Sequence, residues 1–279
     1  VYSKAGRHVA AIKALHRALE LDPENWLCSF LIGQLKNETG FFQEAIVVFE
    51  ELLNQRPAEL SVLAALAQAH LSLGQTEYRE GYHTRAETSF FQCIQVALSI
   101  IEYHSGFGGL AWKMISDAAF QLSRRPALQD QKRAGEISSA LKSLLSTEHG
   151  ATVLDLPLLT ESEDRYNSLA FLAISVQACH LRIGLDASSN VARGSAWYDL
   201  AVGLQFWRNQ RTSTKPEMEK KIVEAITNAL KEEPSNDLYW NTYGNAHFST
   251  HPKIAQHAYI KALDLDSKVW KNLTCIGEM

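Results

Sequence analysis

Apolar side chains return along this chain at three- and four-residue spacing, in blocks separated by short polar punctuation. Leu63, Leu66, Ala67 and His70 make one stripe, and Trp112, Ile115, Ser116 and Ala119 make another. Leu169, Leu172, Val176 and Cys179 form a third, and Ile222, Ile226, Ala229 and Leu230 a fourth. Side chains at such spacing stack on one face of a helix, so each block predicts a helix with one buried face. The punctuation supports the same reading. Pro23 and Pro57 each follow an apolar run, and proline cannot continue the helical hydrogen-bond ladder.

The blocks also recur in phase. Gly6, Gly40 and Gly74 are spaced by 34 residues, as are Pro23 and Pro57, Ala11 and Ala45, and Leu15 and Phe49. Thirty-four residues is the period of a helix–turn–helix repeat. Within Trp26 to Glu59 the slots fit that unit. Gly33 lets a neighbouring helix approach closely, and Gly40 takes the turn between the two helices, helix A and helix B. Ala45 and Phe49 follow on one face of helix B, and Pro57 ends it. The chain thus resembles the tetratricopeptide repeat family, and the fold expected is all-α, a right-handed α-solenoid of antiparallel hairpins with extended and inserted helices in the middle.

The phase then slips. The small-residue slot expected at position 79 holds Arg79, and Ala86, Phe90 and Cys93 restore the pattern seven residues late. This predicts Gly74 at a turn, an extended inter-helix segment over Gln75 to Thr84, and a long helix B to Tyr103. Gly106-Phe-Gly-Gly109 reads as an inter-repeat turn, followed by a helix A around Trp112. Residues 125–163 hold a polar helix (Gln131 to Leu145) and a loop, and a helix from Asp164 to Gly184 is expected as the displaced helix B, with a non-repeat capping domain as the alternative. The period returns at Trp197 and at the unit opening LYWNTYGNAH from Leu238. The expected organisation is repeat units over 1–106, an irregular unit over 107–193, two units over 194–268, and the start of another over 269–279. The chain begins without Met inside a helical pattern, which suggests a piece of a longer array.

Composition narrows the function. The net charge is −4, so the whole-chain balance gives no support for gripping a phosphate backbone. Cys28, Cys93, Cys179 and Cys275 are far apart with no CxxC pair, which predicts reduced, packed thiols and no zinc or redox centre. No secretory signal and no uninterrupted apolar run of roughly 18 residues is visible. His247, His251 and His257 are close in sequence, but Pro252 breaks the helix between them and no HExxH pattern exists. Acidic pairs Glu50-Glu51 and Glu232-Glu233 read as solvated charge, and Trp112, Trp197 and Trp240 as core. No catalytic residue, cofactor site or metal site is assigned, and the chain is expected not to be an enzyme.

In tetratricopeptide arrays helix A lines a concave binding surface. The corresponding positions include Phe30, Gln34, Asn37 and Gln68, then Tyr198, Gln205, Phe206, Asn241, Asn245 and Phe248, with Leu27 and Leu238 beside them. These are the candidate partner-binding residues. The set is neutral, with aromatic and amide side chains, and suits a peptide or an extended segment. A carboxylate clamp is disfavoured because its basic residues are missing.

A narrower resemblance lies in Trp197-Tyr-Asp-Leu200, Leu238-Tyr-Trp-Asn241, Gly244, Ala255-Gln-His257 and Ile260-Lys261, with the helix GLAWKMISDAAF upstream in the same order. These resemble the large tetratricopeptide subunit of the Ski (superkiller) complex. Ala201 and the short link before Trp270 depart from that pattern. The resemblance implies a non-catalytic scaffold in a cytoplasmic complex, with nuclear residence as an alternative. Its implied partners are a DExH-box RNA helicase, WD40-repeat subunits and the RNA exosome in 3′-to-5′ mRNA decay. Another adaptor, of co-chaperone or transport type, binding peptides in its groove, is the alternative. No membrane contact is expected, and direct nucleic-acid contact is not indicated by charge.

Overall fold

The computed structural model describes residues 8–125, 127–148, 167–185, 189–210 and 216–265. The expected loop over 149–163, the start of the helix at Asp164, the final truncated unit and Cys275 lie outside them. Among the described residues there are twelve α-helices and no strand, so the all-α expectation holds. They fall into two compact units, the boundary passing after Leu141 and after Phe171.

The first unit starts with α1 (His8–Leu21), which stops before the Asp22–Pro23 turn. Asn25 then caps α2 (Trp26–Glu38), its side chain accepting the Cys28 N–H at 3.3 Å. The chain turns at Gly40, whose φ of 87° is a left-handed conformation that glycine adopts without Cβ strain, and returns as α3 (Phe42–Gln55). Helices α4 (Leu60–Arg79) and α5 (His83–Tyr103) make the next hairpin. After a 3-10 turn over Ser105–Phe107 comes α6 (Gly108–Ser123), so two of the clustered glycines open a helix and do not span a loop. Next is α7 (Gln131–Glu148), which crosses the boundary, as does α8 (Asn167–Leu185). The second unit continues with α9 (Asn190–Gln210), α10 (Pro216–Glu232), α11 (Asp237–His247) and α12 (Pro252–Leu265). Pro252 is thus the first residue of a helix, the position where its missing N–H costs nothing.

One contact recurs through both units. Gly33 of α2 lies against the Phe49 ring of α3, Gly74 of α4 against Phe90 of α5, and Gly244 of α11 against Tyr259 of α12. A Cβ added at these glycines would sit 2.5, 2.7 and 2.5 Å from the nearest ring carbon, far inside carbon–carbon contact distance. The rings themselves are fully buried. Each of these three hairpins is therefore closed by an aromatic ring seated on bare helix backbone.

This contact corrects the expectation for the third unit. Gly74 is not at a turn; it is the packing glycine, and the turn glycine is Gly81, with φ again 87°. Residues Gln75 to Arg79 are helix, so the extra seven residues lengthen helix A and do not form a loop. Seven residues are close to two helical turns, which keeps the same face toward α5. Helix α5 ends at Tyr103, as expected.

The core contains Trp112, fully buried, with Trp197 and Trp240 half-buried at their packing slots. Among the described residues α8 is the one helix long and apolar enough to cross a membrane by length and composition, over Ser168–Leu185. Of that window 61% is buried inside the protein, and Arg182 within it pairs with Asp199 of α9 at 2.9 Å. Those properties describe the core helix of a packed domain.

Candidate protein-interaction face

In the first unit the candidate residues on α2 divide between core and surface. Phe30 is only 9% exposed and joins Phe49, Leu52, Val62 and Leu66 in one apolar cluster. It is a packing residue that offers little surface to a partner. Four residues on, Gln34 is exposed, and Leu27 stands 50% exposed about two turns before Gln34. Asn37 is half-buried, and its Oδ1 is buried without a hydrogen-bond partner in this structure. On α4, Gln68 is half-buried and donates to Ser72 Oγ at 3.2 Å, a bond within its own helix that orients the amide. Trp26 at the start of α2 carries the Arg56 guanidinium 4.8 Å from its ring centre, a contact the sequence pattern did not point to.

In the second unit, helices α9 and α11 carry five of the remaining six candidates, and Phe248 directly follows α11. Tyr198 stacks on Tyr239 with ring centres 5.0 Å apart, and Gln205 Nε2 donates to the Thr242 carbonyl at 3.4 Å. These two contacts tie one helix A to the next along their length. Phe206 and Asn241 are half-buried, with Asn241 Oδ1 buried and unbonded. Asn245 accepts the Tyr259 hydroxyl at 2.8 Å and so serves the α11–α12 hairpin, although it remains exposed. Phe248, just past the end of α11, is 39% exposed, and Leu238 in its first turn is 50% exposed. Leu27 and Leu238 hold the same slot in their repeats and are equally open. The second-unit face therefore combines exposed apolar groups with amides whose hydrogen-bonding capacity is partly unused.

The nearby charges are engaged and do not form a clamp. Glu232 binds Arg193 through two contacts of 2.8 and 2.7 Å, and Glu233 accepts the Tyr239 hydroxyl at 3.0 Å. The expectation of freely solvated charge holds for exposed Glu50 and Glu51 but not for this pair. Burial, and then the bond to Glu233, push the Tyr239 phenol well above its ordinary pKa. His247 is buried, with neither ring nitrogen hydrogen-bonded, and its ring meets Tyr243 at 4.6 Å and His251 at 5.5 Å. Burial, with His251 adding to it, lowers its pKa. His257 is exposed on α12, and among the described residues no three metal-ligating side chains form a group. Cys93 is buried 3.9 Å from the Met114 carbonyl, and desolvation pushes its thiol up, which makes it unreactive. Cys28 and Cys179 are likewise outside any disulfide.

No protein-family profile matches the chain. Superkiller protein 3 of Schizosaccharomyces pombe is 25% identical over 247 residues, which cover 87% of this chain and 18% of that protein. Human superkiller complex protein 3 is 22% identical over 252 residues, covering 87% of this chain and 14% of the relative. The chain thus spans less than a fifth of the relatives it matches. Among solved structures, a thermophilic tetratricopeptide protein of Thermus thermophilus superposes with a TM-score of 0.55 at 12% identity, over 91% of this chain and 97% of that one. The chain has a tetratricopeptide solenoid fold and resembles superkiller protein 3.

Proposed function

We propose that this chain is a non-catalytic segment of the large tetratricopeptide scaffold in a Ski-type complex. There it would hold a DExH-box RNA helicase and WD40-repeat subunits together in the cytoplasm, in support of exosome-driven 3′-to-5′ mRNA decay. The observation that carries this reading is the match to superkiller protein 3, which runs through 247 residues and across the irregular middle. A generic array would share the 34-residue units but has no reason to share that order. The division into units at 1–106, 107–193, 194–268 and 269–279 belongs to the same proposal.

Partner contact is assigned to the helix-A faces: Gln34, Asn37 and Gln68 in the first unit, and Tyr198, Gln205, Phe206, Asn241, Asn245 and Phe248 in the second. Apolar groups with amides between them suit an extended segment, whose backbone needs hydrogen-bond partners where it is buried. Affinity purification of the protein from its own cells tests the proposal. Helicase and WD40 subunits should come along at near-equal amounts, and purified chain should not hydrolyse ATP. Recovery of chaperones or transport factors in their place would move the assignment to another adaptor class. Intrinsic ATPase activity would remove the non-catalytic reading.

A further inference from the structure

The α4–α5 turn of the first unit carries charge that the scaffold reading does not use. Arg79 is the last residue of α4, Arg85 lies in the first turn of α5, and Arg124 follows α6 directly. Arg125 fixes the end of α6 against that turn, its Nη1 donating to the His83 carbonyl at 2.8 Å and to Glu87 at 3.3 Å. Sequence distance hides this convergence, because Arg124 is far from Arg79 along the chain.

Two of the three guanidinium groups rest on aromatic rings. Arg124 lies over Tyr78 at 5.4 Å and Arg85 over Tyr82 at 5.3 Å, with His83 packed 5.1 Å from Tyr78. Arg79 donates to the Gln75 carbonyl and to Thr76 Oγ1 on its own helix. All three arginines are exposed, and among the described residues none has an acidic partner. The carboxylates beneath them are occupied. Glu77 accepts the Ser89 hydroxyl at 2.8 Å, and Glu87 takes Arg125 together with the N–H groups of Gln129 and Asp130. Glu80 is the exposed acid on the turn itself, against three arginines.

We propose that this end of the first unit docks an acidic segment of a partner protein, with the guanidinium forks of Arg79, Arg85 and Arg124 taking its Asp and Glu carboxylates. A guanidinium already held on a ring or by its own helix loses less freedom on binding than a free side chain, and its planar fork matches a carboxylate. Single-stranded nucleic acid fits less well. Its bases need open aromatic faces, and here each tyrosine already carries a guanidinium. The chain's net charge of −4 also opposes a long polyphosphate, whereas a short peptide feels only charges within a Debye length of about 8 Å. This surface is separate from the helix-A faces and does not depend on the Ski-type assignment.

Fluorescence anisotropy with a short labelled Asp/Glu peptide and an oligouridylate of equal charge tests the proposal. The triple variant Arg79→Ala, Arg85→Ala, Arg124→Ala is compared with a control removing exposed Lys13, Arg17 and Lys231, after thermal melts show that both fold. Wild type and control should bind the peptide, more weakly as salt rises, and the triple variant should lose about tenfold or more in affinity. Absence of peptide binding to the wild type, or equal binding by the triple variant, overturns the proposal. Tighter binding of the oligouridylate, abolished by the same triple variant, overturns it in favour of nucleic acid. None of these outcomes bears on which subunits co-purify with the protein.

Discussion

Replacing Gly74 by alanine adds one methyl group to the most confined point of the α4–α5 hairpin. The new Cβ would lie 2.7, 2.8 and 3.1 Å from three carbons of the Phe90 ring. Carbon atoms pack best at about 3.5–4.0 Å, so the ring or the helix must move by close to 1 Å. Phe90 is 1% exposed, with neighbours on every side, and overpacking of this kind costs about 1–3 kcal/mol. Alanine's better helix propensity offsets about 1 kcal/mol of that. Gly135 in α7 supplies the reference, since a Cβ there meets nothing within 4 Å. Gly135→Ala should therefore stabilise by about 0.5–1 kcal/mol while Gly74→Ala destabilises, leaving a gap of about 1–3 kcal/mol between two identical changes. Urea denaturation followed by circular dichroism measures both, and hydrogen exchange on α5 locates the loss. Phe90→Leu made in the Gly74→Ala background should recover part of it, with a coupling above about 0.5 kcal/mol. If Gly74→Ala stabilises as Gly135→Ala does, or if the double variant is simply additive, the aromatic-on-glycine closure is not what holds the hairpin.

Other consequences follow from the buried polar groups. Burial pushes the His70 pKa down to about 4 from 6.5, so the folded state binds fewer protons than the unfolded chain between those values. Its contribution is present above pH 6.5 and lost as pH falls toward 4. His70→Leu should flatten the stability–pH curve in that window, and an unchanged curve would count against a neutral, buried imidazole. Glu87→Ala leaves the Arg125 guanidinium without its carboxylate, though still on the His83 carbonyl, and the N–H groups of Gln129 and Asp130 without their acceptor, at about 3–5 kcal/mol, and should raise hydrogen exchange at the start of α7. Asp199→Ala should destabilise the second unit by a similar ~3–5 kcal/mol, because Arg182 is almost fully buried; a change below about 1 kcal/mol would mean that the pair is solvated. A maleimide reagent followed by mass spectrometry should modify Cys28 well before Cys93 and Cys179, which are both buried.

Much of the fold was legible because helical hairpins leave local marks. Pro57, the left-handed Gly40 and the close approach at Gly33 are each fixed by backbone sterics, which the residue type alone reveals. Gly74 misled for a physical reason. Within one unit the packing glycine Gly33 and the turn glycine Gly40 stand seven residues apart, close to two helical turns. A seven-residue extension of helix A therefore brings the next packing glycine to the position where the next turn glycine was due, and the 34-residue spacing survives with its meaning exchanged. Only the second turn glycine, Gly81, reveals the slip.

The candidate face was legible in part. Repeat phase singled out Leu27, Gln34, Leu238 and Phe248, and the structure leaves all four exposed. It could not tell that Phe30 turns inward onto Phe49, or that Asn245 is bonded to Tyr259, because each depends on the partner across the hairpin. The arginine cluster was not legible, since it joins residues from two hairpins that are distant in sequence and diluted by an acidic whole.

The role proposed for this chain is that of a scaffold segment that holds other proteins. Size-exclusion chromatography with light scattering, on the purified protein mixed with the helicase and WD40-repeat subunits of its own organism, tests that most directly. One co-eluting complex of defined stoichiometry is expected, weakened by the paired substitution Phe206→Ala and Phe248→Ala. Separate elution of all three proteins at micromolar concentration would contradict it.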